Sequence, residues 1–151
     1  MNGRYVGQVV NGLPEGKGIE YYPNCERYEG DVKNWKRDGK GIAYFNNGDR
    51  YEGDFRNDKY EGKGIYYYNK EPFKGDRFEG DFRNGIAEGK GVYYYNNGDR
   101  YEGDYRKGKK EGKGIYYFHN GDRMMGDYYN DNPIGKHVKL TRNGEVKINN
   151  Y

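Results

Sequence analysis

Apolar and polar residues alternate along this chain in short runs, and the runs have a period of two. In Tyr51–Phe55 ("YEGDF") Tyr51, Gly53 and Phe55 share one side of an extended backbone, while Glu52 and Asp54 share the other. Gly62–Tyr68 ("GKGIYYY") continues the alternation: Lys63, Ile65 and Tyr67 fall on one side, Gly64, Tyr66 and Tyr68 on the other. No apolar period of 3.6 survives the frequent glycines, so the pattern predicts strands and no helix. Between the two runs, stretches of the "RNGIAEG" type (83–89) read as loops. After the second run, "NNGD" carries the Asn-Gly signal of a tight hairpin turn, where positive φ is needed.

The same sentence recurs. Aligned on aromatic-X-Gly, six units begin at Arg4, Arg27, Arg50, Arg77, Arg100 and Arg123, spaced 23, 23, 27, 23 and 23 residues apart. The units are 4–26, 27–49, 50–76, 77–99, 100–122 and a divergent, capping 123–145. Four extra residues of the third unit lie in "NKEPFKGD" (69–76). A fixed period in the twenties marks a stacked repeat rather than one globular core. With two strands per unit, the chain predicts an all-β fold: an elongated single-layer antiparallel sheet of about six consecutive hairpins. At ~4.8 Å per strand, a dozen strands span about 55 Å, with the first and last units as caps.

The last unit suggests which side is structural. Val138 and Leu140 keep the Ile65 and Tyr67 positions apolar, whereas Lys139 and Thr141 replace Tyr66 and Tyr68. The expectation is that Ile65 and Tyr67 pack with Tyr51 and Phe55, while the Tyr66/Tyr68 column faces outward. Glycines such as Gly53 and Gly64 let a neighbouring ring lie across the strand.

These units resemble MORN (Membrane Occupation and Recognition Nexus) repeats. "RYEGDFRNDKYEGKGIYYYN", "RFEGDFRNGIAEGKGVYYYNNGD" and "RYEGDYRKGKKEGKGIYYFHNGD" follow that family's Tyr-X-Gly-acidic-aromatic, Gly-X-Gly and Asn/Asp-Gly pattern. The resemblance is close over residues 4–122 and looser over 123–145, where Met125 replaces the Glu and His137 the second Gly, weakening the final rung. It implies a single-layer sheet of hairpins with an aromatic-lined groove. It also implies a scaffold at cytoskeletal, ciliary or membrane-junction structures, with phosphoinositide binding proposed for some members.

Composition changes this picture little. Leu, Ile, Val and Phe make up only 22 of 151 residues, but the net charge is just +3 and the 20 tyrosines supply apolar rings with wet hydroxyls. The lone Cys25 forms no internal disulfide, which fits a reducing cytoplasmic setting, and it reads as a buried or idle thiol. No run approaches a membrane span, and Asn2 stands where N-myristoylation needs glycine.

Catalysis lacks its parts. There is no serine, one threonine (Thr141) and two histidines (His119, His137), so the usual nucleophile–base pairs are missing and no enzyme is expected. Alternating carboxylates such as Glu52 and Asp54 read as salt-paired surface. "NNGDRYEGD" (46–54) fits no calcium loop, and "GKKEGKG" (108–114) falls short of a phosphate loop; no metal and no cofactor are expected.

Binding remains. Rings at Tyr22, Phe45, Tyr66, Tyr68, Tyr93, Tyr95, Tyr116 and Phe118 would line an aromatic strip on which a helix or extended peptide of a protein partner could lie. Trp35 and the Pro72–Phe73 insertion are further contact candidates. The alternative is a phosphoinositide-bearing membrane surface. Residues 100–151 carry 11 basic and 7 acidic side chains, and Arg106, Lys107, Lys109, Lys110 and Lys113 are the densest cluster. A net charge of +3 is weak for nucleic acid, and open sheet edges would let two copies pair end to end or face to face.

Overall fold

A computed structural model of the chain describes residues 3–151; Asn2 lies outside them. The strands are β1 (Arg4–Val10), β2 (Leu13–Tyr21), β3 (Arg27–Lys33), β4 (Lys36–Tyr44), β5 (Arg50–Arg56), β6 (Lys59–Tyr67) and β7 (Arg77–Arg83), followed by β8 (Ile86–Tyr94), β9 (Arg100–Arg106), β10 (Lys109–Tyr117), β11 (Arg123–Tyr129), β12 (Asn132–Leu140) and β13 (Val146–Asn150). They form one 13-stranded antiparallel sheet in chain order, and among the described residues there is no second layer. The sheet has one strand beyond the expected dozen, because "GEVKINN" pairs back onto β12.

Within each repeat the hairpin closes through two residues, not a long loop. Asn84 (φ 51°) and Gly85 (φ 86°) join β7 to β8, and Asn57 (φ 47°) and Asp58 (φ 68°) join β5 to β6. Positive φ at both positions is the primed turn whose twist matches the flanking strands. The stretch read as a loop at 83–89 is therefore a strand end, a tight turn and the next strand. "NNGD" is instead the longer connection between hairpins. In the one after β4, Phe45 N–H donates to Asp49 O, Gly48 N–H to Phe45 O (both 3.0 Å), and Gly48 has φ 85°.

A two-residue turn fixes which side chains share a face. Tyr51 pairs with Tyr66, and Glu52 pairs with Ile65. The Tyr66/Tyr68 column thus lies on the same face as Tyr51 and Phe55, and Ile65 and Tyr67 lie on the reverse face. This overturns the expected assignment. A bulge in β6 sets three residues, Glu61–Lys63, against the single Asp54, which leaves the parity unchanged. The Asp54 carboxylate accepts from the freed Lys63 N–H (3.3 Å), and Asp31 and Asp81 serve Lys40 and Lys90 alike.

The core is a row of rings laid over glycines. Tyr28, Tyr51 and Tyr101 are 0% exposed. A Cβ on Gly64 would lie 2.4 Å from the Tyr51 hydroxyl and 2.6 Å from its Cε2, so the ring occupies the space a side chain would take. Tyr28 and Tyr51 donate to the carbonyls of Asp31 and Asp54 at 2.8 and 3.0 Å. The final hairpin makes the same arrangement from different residues. Met124 replaces the tyrosine, and His137 lays its fully buried ring over Gly126 with Nε2 2.9 Å from Asp127 O. The rung expected to be weak is filled.

Candidate functional site: an aromatic ladder and a reverse groove

From the second hairpin on, the connection that ends a hairpin aims one aspartate at the next. Asp76 accepts from the Tyr93 hydroxyl and from Asn96 N–H, both at 2.7 Å. Asp49 takes Tyr66 (3.0 Å) and Asn69 (2.7 Å), and Asp99 takes Tyr116 (2.8 Å) and His119 (2.7 Å). These aspartates are buried. Burial works to raise the Asp99 carboxyl, but the bonds from His119, Tyr116 and Asn97 outweigh it and hold it below the usual carboxylate range. Burial first, and the aspartate second, push the Tyr66, Tyr93 and Tyr116 hydroxyls well up. Sequence reading took these aspartates as turn residues; their recurrence in register with the tyrosines was the available signal.

With Tyr66, Tyr93 and Tyr116 pinned this way, the rings form a ladder across the hairpins. Centroids run from Phe45 to Tyr66 (6.0 Å), Tyr68 (4.7 Å), Tyr93 (5.8 Å), Tyr95 (4.7 Å), Tyr116 (5.6 Å) and Phe118 (4.8 Å). Seven of the eight candidate strip residues are thus brought together, half-buried against the core on one side and uncovered on the other. Tyr22 stands apart, donating to Glu20 at 2.5 Å. Trp35 is 58% exposed in the β3–β4 turn at φ 63°, edge-on to Tyr5. Phe73 is exposed and 6.0 Å from Tyr68. Cys25 is exposed rather than buried, in a turn at φ 66°.

The basic cluster does not form one surface. Lys110 lies on the ladder face, its Nζ 4.8 Å from the Tyr101 centroid and 2.5 Å from the Tyr95 hydroxyl, and burial lowers its pKa. Lys113 lies on the reverse face, paired with Asp127 at 3.2 Å. Lys107 sits in the β9–β10 turn, Lys109 donates to Asn130, and Arg106 is exposed at the end of β9.

The reverse face carries three rows. Arg50 stacks on Tyr67 (4.2 Å), Arg77 on Tyr94 and Arg100 on Tyr117 (each 3.9 Å). Glutamates alternate with Ile42, Ile65 and Val92, and lysines pair with aspartates, as in Lys40–Asp54 (2.8 Å) and Lys63–Asp81 (2.6 Å). Between the last two rows runs a groove of about 950 Å³, floored by the glycine row and lined from Lys17 to Glu102.

Repeating hairpins of this kind, each with an aromatic-X-Gly on its first strand and Gly-X-Gly on its second, match the MORN repeat over residues 5–24, 28–50, 51–70, 78–100 and 101–123. The chain belongs to the MORN-repeat family. No curated protein matches this MORN protein by sequence alone. Among solved structures, its fold is similar to the TCP10 domain of Danio rerio CPAP in complex with a peptide of Danio rerio STIL, at TM-score 0.60 and 15% identity. The match covers 96% of this chain and 64% of that one. It is similar also to the SAS-4 (dCPAP) TCP domain of Drosophila melanogaster in complex with a Proline Rich Motif of Ana2 (dSTIL), at TM-score 0.57 and 16% identity, over 99% of this chain and 90% of that one. Likeness at these identities is one of fold. Among the described residues no helix is long and apolar enough to cross a membrane, and no three His, Cys, Asp or Glu side chains group as metal ligands.

Proposed function

We propose that this MORN protein is a non-catalytic scaffold that holds a linear segment of a protein partner along its ladder face, within a cytoskeletal, ciliary or membrane-associated assembly. One observation carries the reading: a continuous row of seven aromatic rings from Phe45 to Phe118 has a packed side and an uncovered side. Tyr66, Tyr93 and Tyr116, already held by aspartates, lose little freedom on contact, so their area converts efficiently into binding. That both fold neighbours were solved holding peptides supports a protein partner. The divided charges of Arg106–Lys113 offer less to a phosphoinositide head group than the sequence suggests.

A second reading has its own observation, the groove of about 950 Å³ on the reverse face. One experiment separates the two. A photo-crosslinking amino acid placed at Tyr68 probes the ladder, and one at Ile65 probes the groove. Adducts with cytoskeletal-fraction proteins from position 68 and not 65 support the ladder. The opposite result moves the partner to the groove, and adducts from neither overturn both.

A further inference from the structure

One position of each hairpin, the second after the turn, stands over the ring row, and its occupant differs between repeats. Arg37 places its guanidinium 5.3 Å from the Phe55 centroid and is tied to Asp58. Tyr60 stacks on Tyr51 at 3.8 Å. Lys110 lies over Tyr101. Between the last two stands Ala87, too short to cover anything, and the ring below it is Phe78, which lacks the hydroxyl that Tyr28 and Tyr51 send to a carbonyl. The result is a cavity of about 210 Å³ walled by Tyr60, Tyr66, Tyr68, Phe78, Phe82 and Tyr93, with Ala87 and two turn glycines at its rim. The only insertion in the repeat, carrying exposed Phe73, packs against Tyr68 at the same place. Phe78 and Ala87 thus line one cavity, and the insertion stands beside its Tyr68 wall.

We propose that this cavity is the anchor subsite of the scaffold: it receives one aliphatic side chain of an extended partner segment whose carboxylate, one repeat further along, meets Lys110. The inference rests on the scaffold reading above. Volume supports the first half, since a cavity of about 150 Å³ lined by apolar groups already binds a benzene-sized group. Charge supports the second half. The Lys110 ammonium faces Tyr95, Tyr101 and Tyr116 and donates to the Tyr95 hydroxyl, while the nearby Asp131 accepts from the Lys110 backbone N–H at 2.9 Å; Arg37 in the same column has its carboxylate, Asp58, on the guanidinium itself. An incoming carboxylate would satisfy a cation that three rings only partly stabilise. One repeat is two strands, about 9.5 Å, which an extended chain covers in three residues.

Short random peptides displayed on phage and selected against the whole chain test this. Enriched peptides should carry an aliphatic residue three positions from an acidic one. Their affinities are then measured by calorimetry for the parent, Ala87→Tyr and Lys110→Gln. Ala87→Tyr copies the Tyr60 arrangement, so the variant keeps its circular dichroism and melting temperature, yet fills the cavity. It should weaken binding by about tenfold or more. Lys110→Gln should weaken it and flatten its salt dependence. Peptides lacking that spacing, or binding Ala87→Tyr as well as the parent, overturn the anchor and leave the scaffold standing. Enrichment of no peptide over bare support overturns both.

Discussion

The residue with the least tolerance in this protein is the glycine under a ring. Tyr51 keeps its hydroxyl on Asp54 O only while Gly64 has no Cβ, because that carbon would fall inside the ring's contact distance. Gly64→Ala should therefore cost about 2–3 kcal/mol, by displacing a fully buried ring. Urea unfolding followed by circular dichroism measures it, and an unchanged midpoint would refute the packing. The inter-repeat aspartates are the second sensitive class. In Asp76→Asn one of the two accepting oxygens becomes an amide NH2, so either Tyr93 or Asn96 loses its acceptor and about 1–3 kcal/mol should be lost in the same assay. Asp99 adds a pH dependence. Its carboxyl is held below its ordinary value when folded, so the stability it contributes is full above the unfolded value of about 3.9 and is lost as pH falls below it. Asp99→Asn should be less stable than the parent at pH 6 and lose less between pH 4 and 2.

At the scale of the hairpin, the decisive device is the two-residue turn with its bulge. The repeat, the strands and the glycine-under-ring packing were all legible from alternation and period. The faces were not, for one reason. Reading 83–89 as a loop left the parity between the two strands free, and the decayed final unit then favoured Ile65 over Tyr66. A two-residue turn at Asn84–Gly85 removes that freedom, since it always pairs an odd position with an even one; Asn-Gly was the signal. The candidate strip was legible as a set of residues, but its packing against the core was not. It follows that Tyr66→Ala with Tyr93→Ala would strip two aspartates of a partner and unsettle the fold, so Tyr68 is the better probe of binding. His137 makes the same point in reverse. His137→Gly restores the family pattern, yet it removes a buried ring from between Tyr128 and Tyr151 and uncovers Gly126. Thermal melts should show destabilisation of about 2–4 kcal/mol; stabilisation would mean that the histidine is a tolerated defect.

At the scale of the whole molecule, a single layer has no centre, and stability must pass from hairpin to hairpin. The transmission is physical: Asp49, Asp76, Asp99 and Asp122 each bond the following repeat, and turn amides such as Gly85 N–H and Gly108 N–H donate to the carbonyls of Tyr60 and Ala87 one hairpin earlier. A repeat in the middle is held from both sides and a terminal one from one side only, which is the nearest-neighbour energetics of repeat proteins. The ends are also where apolar side chains stand uncovered, Val6, Val9 and Val10 on β1, and Val146 and Ile148 on β13. Amide exchange should therefore rise in steps toward both ends rather than switch at one threshold. Amides of β5 to β10 should exchange slowest, and those of β1 and β13 orders of magnitude faster, by mass spectrometry of peptides quenched over seconds to days. Gly64→Ala should then loosen β5–β8 first and more distant hairpins in order of distance. Uniform acceleration across all thirteen strands would instead mean one all-or-none unit, and the aspartate clamps would be too strong to let neighbouring hairpins open separately.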